Sequence, residues 1–85
     1  MVNKIRKLLA DVQRAEALPD AYAYLPDIAK SLEAMLDNID ASPSRRDKMA
    51  GGLGRIVTED YAFSESDLGG RILRVADDFA EASEK

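Results

Sequence analysis

Three carboxylates near the carboxyl end of the sequence are spaced so that their side chains could act together. Asp77 and Glu81 stand one helical turn apart, and Asp78 is adjacent to Asp77. Such a group could hold a divalent cation or transfer a proton. The chain contains no His and no Cys, so the nitrogen and sulfur ligands of most protein metal sites are missing. We therefore expect these carboxylates to form a solvated face, and we expect no metal and no cofactor.

Nucleophilic catalysis has no better basis in the sequence. Serines are present, but no histidine-based triad can form without His, and no Ser has the spacing of a nucleophile elbow. Gly51, Gly52 and Gly54 are not followed by the Gly-Lys-Ser/Thr ending of a phosphate-binding loop. The sequence therefore predicts that the protein is not an enzyme.

Apolar residues at helical spacing predict four amphipathic helices. The first covers about residues 4–17, with Asn3 as its cap and Pro19 as its stop. The second starts near Pro26, because proline fits the first turn of a helix, and ends at 40–42. Their apolar stripes are Ile5, Leu8, Leu9 and Val12 in the first helix, and Ile28, Leu32, Met35, Leu36 and Ile39 in the second.

The third and fourth helices follow start signals that contain serine. Ser42 before Pro43 starts the third helix, and after a turn at 59–63 Ser64 forms a capping pair with Asp67 ahead of the fourth. Their apolar stripes are Met49, Leu53, Ile56 and Val57, and then Leu68, Ile72, Val75, Ala76 and Phe79. We expect an all-α fold, a small antiparallel up-down-up-down four-helix bundle. The alternative is a three-helix bundle in which the third helix breaks at its glycines.

Length and composition favour a single domain over residues 1–85. Apolar residues make up 46% and charged residues 33% of the chain, as in helix-rich globular proteins, and 85 residues are too few for two stable cores. No apolar stretch is long enough to cross a bilayer, and no signal-peptide pattern is present. We expect a small acidic protein that does not bind membranes, with a cytoplasmic location by elimination.

Charge alternates along the chain. Residues 1–14 and 41–58 each carry +3, and residues 15–40 and 59–85 each carry −5, giving the total of −4. In an up-down-up-down square each helix has two neighbours of opposite sign, so the alternation favours that topology. The negative total argues against a dedicated nucleic-acid-binding protein.

The glycines of the third helix are its most unusual feature, because each costs a helix about 1 kcal/mol relative to alanine. Ala50, Gly54 and Thr58 lie along a flank that has no bulky side chains. Such a flank either packs closely against a helix of the same bundle or receives a partner helix or a second copy of the chain. The candidate partner-binding residues here are Ala50, Gly51, Gly54 and Thr58.

Four of the five aromatic residues stand in the two turns predicted before the second and fourth helices, namely Tyr22, Tyr24, Tyr61 and Phe63. In an up-down-up-down bundle these two connections lie at the same end, so the aromatic side chains could meet. They either close the end of the core or form a patch that binds a partner.

The third helix also carries four basic residues, Arg45, Arg46, Lys48 and Arg55. Lys48 and Arg55 are expected to project away from the apolar stripe, as a helix that enters a nucleic-acid groove requires. Asp47 interrupts the set, and the flanking helices are acidic. A solvated face or intramolecular ion pairs, an acidic protein partner, and nucleic acid are the three interpretations of these residues.

These patterns do not determine the function. The leading hypothesis is a small non-catalytic protein-protein interaction or self-association module, which binds an unidentified protein or a second copy through the glycine flank or the aromatic turns. The alternative is nucleic-acid binding through the basic face of the third helix.

Overall fold

The computed structural model describes residues 1–82, and in that range the fold is all-α. In chain order the helices are α1 (Val2–Glu16), α2 (Leu25–Asp37), α3 (Pro43–Thr58), α4 (Tyr61–Ser64) and α5 (Asp67–Ala82). Four of them are long, and α4 is a single turn between α3 and α5. The predicted helical bundle is confirmed, with one short helix more than the sequence patterns indicated.

The four long helices contact each other in a ring. α1 packs against α2 and α5, and α3 packs against the same two helices. Lys4 near the start of α1 pairs with Asp78 near the end of α5, and Asp11 pairs with Arg71 further along both helices. α1 and α5 are therefore antiparallel, in agreement with the expected up-down-up-down order.

Each long helix contributes a buried apolar stripe to one core. The fully buried side chains are Ile5, Leu8, Val12, Leu25, Ile28, Leu32, Met35, Leu53, Val57, Ile72 and Phe79. Burying an aliphatic or aromatic side chain of this size contributes about 1.5–3 kcal/mol. The other large residues of the predicted stripes pack around this core and are partly buried.

The start of α1 differs from the prediction, whereas the starts of α2 and α3 agree with it. Pro26 lies in the first turn of α2, and Ser42 precedes α3, where its Oγ accepts a hydrogen bond from the Arg45 amide at 3.3 Å. α1 begins one residue before Asn3, so that Asn3 lies inside the first turn. The prediction that Asn3 caps α1 is therefore wrong.

The turn predicted at 59–63 contains the start of α4. Asp60 Oδ1 accepts a hydrogen bond from the Phe63 amide at 3.0 Å, which is the interaction of a helix N-cap. A further hydrogen bond from the Ser64 amide to the Asp60 carbonyl closes the turn. A local side-chain cap, rather than an apolar stripe, thus forms this helix.

Ser66 rather than Ser64 caps α5. The Ser66 Oγ accepts a hydrogen bond from the Gly69 amide at 3.0 Å and donates one to the Phe63 carbonyl. Ser64 belongs to α4, so the predicted capping pair of Ser64 with Asp67 is wrong. Because Ser66 bonds to both helices, it fixes the angle at which α5 leaves α4.

Gly69 is the glycine whose missing side chain the fold requires. A Cβ atom there would lie 2.0 Å from the Phe63 carbonyl oxygen and 3.1 Å from the Ser64 Cα. No side chain fits in that space, because the obstacle is backbone. The first turn of α5 therefore lies directly against the end of α4.

α3 is continuous through Gly51, Gly52 and Gly54. The alternative of a three-helix bundle with a broken third helix is therefore wrong. A Cβ atom at Gly51 or Gly52 would have nothing within 4 Å, so no close contact requires either glycine. The buried Leu53 and Val57 hold this part of α3 against the core, which compensates for the low helix propensity of glycine.

Direct ion pairs between helices join α1 and α5 within residues 1–82. They are the pair of Lys4 with Asp78 at 3.4 Å and the pair of Arg71 with Asp11. In the second pair the acidic residue, Asp11, lies on the basic helix α1, and the basic residue, Arg71, lies on the acidic helix α5. At the other three interfaces of the ring, the described residues make no ion pair between helices. Helices of opposite net charge are thus joined by direct ion pairs at one interface, that of α1 with α5.

Asp11 is the acidic centre of a small charge network. It accepts hydrogen bonds from Arg71 on α5 and from Arg14 on its own helix. The bond from Arg71 lowers the pKa of Asp11 below its ordinary value of 3.8; partial burial opposes this, and Arg14 lowers the pKa further. Because the folded-state pKa lies below the unfolded-state value, ionised Asp11 stabilises the fold above about pH 4. That stabilisation is lost as the pH falls through the folded-state value.

A pair of glycine substitutions tests the requirement at Gly69. Gly69→Ala is expected to lower the free energy of unfolding by about 1–3 kcal/mol, because the new methyl group overlaps the α4 backbone. Gly51→Ala, the matched control in open space, is expected to raise it by about 0.5–1 kcal/mol. Urea unfolding followed by circular dichroism measures both. Equal stability of the two variants would contradict the close contact at Gly69.

A pH comparison tests the Asp11 network. Asp11→Asn is expected to be less stable than the wild type near pH 6, and the difference is expected to shrink near pH 2, because acid favours protonation of the wild-type carboxyl. Glu33→Gln, at an exposed carboxylate of α2 without an ion pair among the described residues, is the control and should show a smaller change. Denaturant unfolding at both pH values measures the difference. A loss that is the same at both would show that Asp11 does not act through its charge.

Candidate partner-binding site

Two connections that carry aromatic residues lie together at one end of the bundle. We call this the aromatic end, formed by residues 17–24 and 59–66. The ring of Tyr22 stacks on that of Phe63, with centroids 4.2 Å apart and planes 14° apart. The ring of Tyr24 meets that of Tyr22 nearly edge-on, at 5.5 Å and 73°. The structure thus brings together three of the four aromatic residues that the sequence singled out, whereas Tyr61 lies apart with 77% of its surface exposed.

The hydroxyl of Tyr22 ties this cluster to α3. It donates a hydrogen bond of 2.8 Å to the carbonyl of Ile56, which lies in the last turn of α3 and needs a partner from outside the helix. Burial raises the pKa of Tyr22 above its ordinary value of 10.0, and the nearby carboxylates of Asp60 and Glu59 raise it further. The Tyr22 hydroxyl is therefore protonated at neutral pH and remains a hydrogen-bond donor.

An open depression of about 720 Å³ lies on one side of the stacked pair. It is lined by Asp20, Ala21, Tyr22, Ala23, Tyr24, Glu59, Asp60, Ala62 and Phe63. Three of these residues are acidic and none is basic. We call this the acidic depression.

A second, mainly apolar depression of about 420 Å³ also borders Tyr22 and Phe63. Apolar side chains of the α1–α2 connection, the start of α2 and α5 line it, including Leu18, Leu25 and Leu68. Leu18 is 63% exposed. We call this the apolar depression.

The exposed large hydrophobic side chains of the described chain are all at this end. They are Leu18, Tyr24 and Tyr61, with exposed fractions of 63, 47 and 77%. Leu18 was missed in the sequence because it falls in no helical stripe. The feature that could have predicted its exposure is its position directly before Pro19, which stops the helix, so that Leu18 is not part of a helix face directed toward the core.

The glycine flank of α3 is not one open surface. Ala50 is buried in the core, and a Cβ atom at Gly54 would lie 3.9 Å from Leu73 of α5, which is an ordinary packing distance. Thr58 is exposed, and its hydroxyl donates to the Gly54 carbonyl of its own helix. Gly51 faces open space. The proposed partner surface is therefore corrected for Ala50 and Gly54, which pack inside the bundle.

A different glycine, Gly52, borders a shallow groove between α2 and α3. The groove has a volume of about 280 Å³ and is mainly apolar, with Ser31, Ala34, Lys48, Met49, Gly52, Leu53 and Ile56 along it. The sequence patterns indicated no role for Gly52 beyond its cost to the helix, because helical spacing alone does not show how far the neighbouring α2 lies from it.

Arg46 does not belong to an exposed basic face, and this corrects the sequence interpretation. Only 7% of its surface is exposed. Its guanidinium donates to the Ile39 carbonyl beyond the end of α2 and lies 4.9 Å above the ring of Phe79. Among residues 1–82 the Nε atom of Arg46 has no hydrogen-bond partner. The amphipathic stem and the contact of the cation with the aromatic face account for a basic residue at the edge of the core.

The remaining basic residues of α3 are exposed. Arg45 donates from Nε to Asn38 Oδ1 at 2.9 Å, and Lys48 and Arg55 face solvent as predicted. A second basic surface, which the sequence patterns did not indicate, follows the α1–α5 groove. It is lined by Lys4, Lys7, Leu8, Arg71, Arg74, Val75 and Asp78. The two helices contribute two basic residues each, and only their packing makes them neighbours.

The carboxylates of α5 do not converge. Asp78 pairs with Lys4 across the α1–α5 interface, whereas Asp77 and Glu81 are exposed. In the described part of the chain no three acidic side chains form a group that could hold a metal ion. None of the described helices combines the length and the apolarity needed to cross a bilayer. The cytoplasmic location stays a prediction.

Comparison with known protein families, with characterised proteins and with solved structures found no match for this chain. Of the surfaces of this fold, the aromatic end combines exposed hydrophobic side chains, aromatic contacts and unpaired charge.

A conservative substitution tests how the aromatic end is held in place. Tyr22→Phe keeps the ring stack but removes the hydrogen bond to the Ile56 carbonyl, so the free energy of unfolding should fall by about 1 kcal/mol. Tyr24→Phe is the matched control, since the Tyr24 hydroxyl makes no hydrogen bond to the described residues. Urea unfolding measures both variants. If Tyr22→Phe proved as stable as Tyr24→Phe, the bond to Ile56 would contribute nothing.

Proposed function

We propose that this protein is a small non-catalytic interaction module that binds a protein partner through its aromatic end. One observation carries the proposal, namely that the exposed large hydrophobic side chains Leu18, Tyr24 and Tyr61 all lie at this end. Large apolar side chains left exposed at one end of a fold are a feature of binding sites. Tyrosine is also enriched among the residues that contribute most to binding energy at protein interfaces.

The arrangement of the aromatic end supports this role. The stacked rings of Tyr22 and Phe63 pack against the core, and the hydrogen bond from Tyr22 to Ile56 anchors them to α3. Both the acidic and the apolar depression border this pair of rings. A surface held in place before binding loses little conformational entropy when a partner arrives, which favours affinity.

A catalytic role at the same end has no support from its chemistry. Tyr22 is the aromatic hydroxyl with the most perturbed surroundings, and its pKa is raised. A tyrosine that acts as a base needs a lowered pKa. The carboxylates beside it line an open depression rather than a pocket closed to water. We therefore keep the proposal that the protein is not an enzyme.

The nucleic-acid alternative has less support than it had from the sequence. With Arg46 buried, the basic set on α3 is reduced to three exposed residues. The acidic residues at the aromatic end would also repel a phosphate backbone. Binding of DNA or RNA that falls steeply with salt, and that is weakened by Lys48→Ala and Arg55→Ala, would restore this alternative.

Affinity capture with two variants tests the proposed function. The end variant changes Leu18, Tyr24 and Tyr61 to Ser, which removes the exposed apolar surface without touching the core. The control is Gly52→Leu, which fills the groove between α2 and α3, where a Cβ atom meets nothing within 4 Å. Capture from native lysate with quantitative mass spectrometry should show that the wild type and the control retain the same partner. The end variant should lose it by at least about tenfold.

Two results would overturn the proposal. A partner retained by the end variant but lost by Gly52→Leu would move the interface to the α2–α3 groove. A wild type that captures no partner but doubles its mass with rising concentration would show that the occupant is a second copy of the chain. Circular dichroism of each variant establishes that it is folded before capture is compared.

A further inference from the structure

We infer that the partner presents a basic segment of polypeptide, with an Arg or Lys side chain that enters the acidic depression beside Tyr22 and Tyr24. This inference rests on the proposed function, because it specifies the chemistry of the partner that binds the aromatic end. Three observations support it: the charge of the lining, the charge of the whole end, and the geometry of the rings.

The carboxylates of the acidic depression have no cationic partner within the described part of the chain. Asp20 and Glu59 make no ion pair with any described residue, and neither does Asp60. One oxygen of Asp60 accepts the amide hydrogen bond that starts α4, which leaves its other oxygen available. Three like charges around one concave surface repel each other, and a cation placed among them relieves that repulsion.

The negative charge extends over the whole end of the bundle. Between Arg14 and Lys30 the sequence contains no basic residue, and there is again none between Arg55 and Arg71. These two segments contain the aromatic end and the helix turns that flank it. Together they carry the acidic residues Glu16, Asp20, Asp27, Glu59, Asp60, Glu65 and Asp67. Such a field steers positively charged partners toward this end and repels anionic ones.

The aromatic rings supply a second attraction for a cation. Tyr22 and Tyr24 meet at 73°, and both line the acidic depression. A guanidinium or ammonium group over a tyrosine face gains a cation–π interaction, which arginine makes more often than lysine. Burial raises the pKa of Tyr22, and the carboxylates of Asp60 and Glu59 raise it further, so these carboxylates act on the Tyr22 side chain. Aromatic faces and carboxylates thus favour the same kind of side chain.

The negative charge at this end also disfavours other classes of binding partner. A nucleic acid or an acidic peptide would bring negative charge to a surface that has no cation to receive it. A purely apolar segment would fit the apolar depression but would leave the acidic depression unpaired. A basic segment satisfies the charge, and its aliphatic stems can lie along the exposed tyrosine rings.

A titration with defined peptides tests the inference. The uniformly labelled full chain is titrated with short oligo-arginine, oligo-lysine and oligo-glutamate peptides, and binding is followed by NMR chemical shifts. We expect the arginine peptide to shift the resonances of Tyr22, Tyr24 and Phe63, to bind a few-fold more tightly than the lysine peptide, and to weaken as salt rises. The glutamate peptide should not bind.

Two triple variants with the same change in net charge separate a local site from general attraction. The site variant is Asp20→Asn, Glu59→Gln and Asp60→Asn, in which Asn at position 60 keeps an oxygen for the α4 cap. The control variant, Glu33→Gln, Asp37→Asn and Asp77→Asn, changes exposed carboxylates of α2 and α5. The site variant should raise the Kd of the arginine peptide by at least about tenfold, and the control by less than about twofold. Tyr24→Ala should also weaken the arginine peptide.

Several results would overturn the inference. Equal weakening by both triple variants would show attraction by net charge only, and shifts confined to other surfaces would place the cation elsewhere. Equal binding of arginine and lysine peptides, with no effect of Tyr24→Ala, would remove the role of the rings. A further result would separate the inference from the proposed function. If the end variant loses a lysate partner that the site variant keeps in high salt, the basic-segment inference is wrong, but the proposed function still holds.

Discussion

The stack of Tyr22 on Phe63 is the contact on which the surface of this protein depends. It joins two connections that are far apart in the sequence, and the hydrogen bond from Tyr22 to the Ile56 carbonyl extends the link to α3. Through Phe63 the same contact reaches α4, and through Ser66 it reaches the start of α5. Both depressions border this pair of rings. Closure of the core and shaping of the candidate interface are therefore achieved by the same atoms.

Charge is distributed unevenly over the fold, and the unevenness has a physical cost. An end that carries acidic residues and no basic ones repels itself, which lowers the stability of the folded state. Elsewhere the bundle places opposite charges in contact, as in the pairs of Lys4 with Asp78 and Arg71 with Asp11. Exposed apolar side chains such as Leu18 are at the acidic end as well. Features that do not help folding therefore coincide at one place, and this coincidence is the physical basis for proposing a binding surface there.

The glycines illustrate how one residue type takes opposite roles in one fold. Gly69 is required by a backbone contact with α4. Gly51 and Gly52 face open space, so they weaken α3 although no close contact requires a glycine there. The sequence patterns drew attention to the cluster in α3, because three glycines within four positions are conspicuous in a helix. The required glycine lies in an ordinary position near the start of α5. Its role depends on the distance between two helices, and that distance is not encoded in local spacing.

The spacing of apolar residues predicted the all-α class, the four long helices and nearly all of the core, because that spacing along one helix shows which of its faces is apolar. The sequence also indicated that Tyr22 and Phe63 could meet, since the order of the helices dictates which connections share an end. The exposure of several individual side chains follows instead from the packing of the helices. That packing placed Arg46 inside the bundle, left Leu18 and Tyr61 outside, and brought carboxylates from separate turns around one depression. These outcomes depend on packing between helices, where neighbours come from distant parts of the sequence.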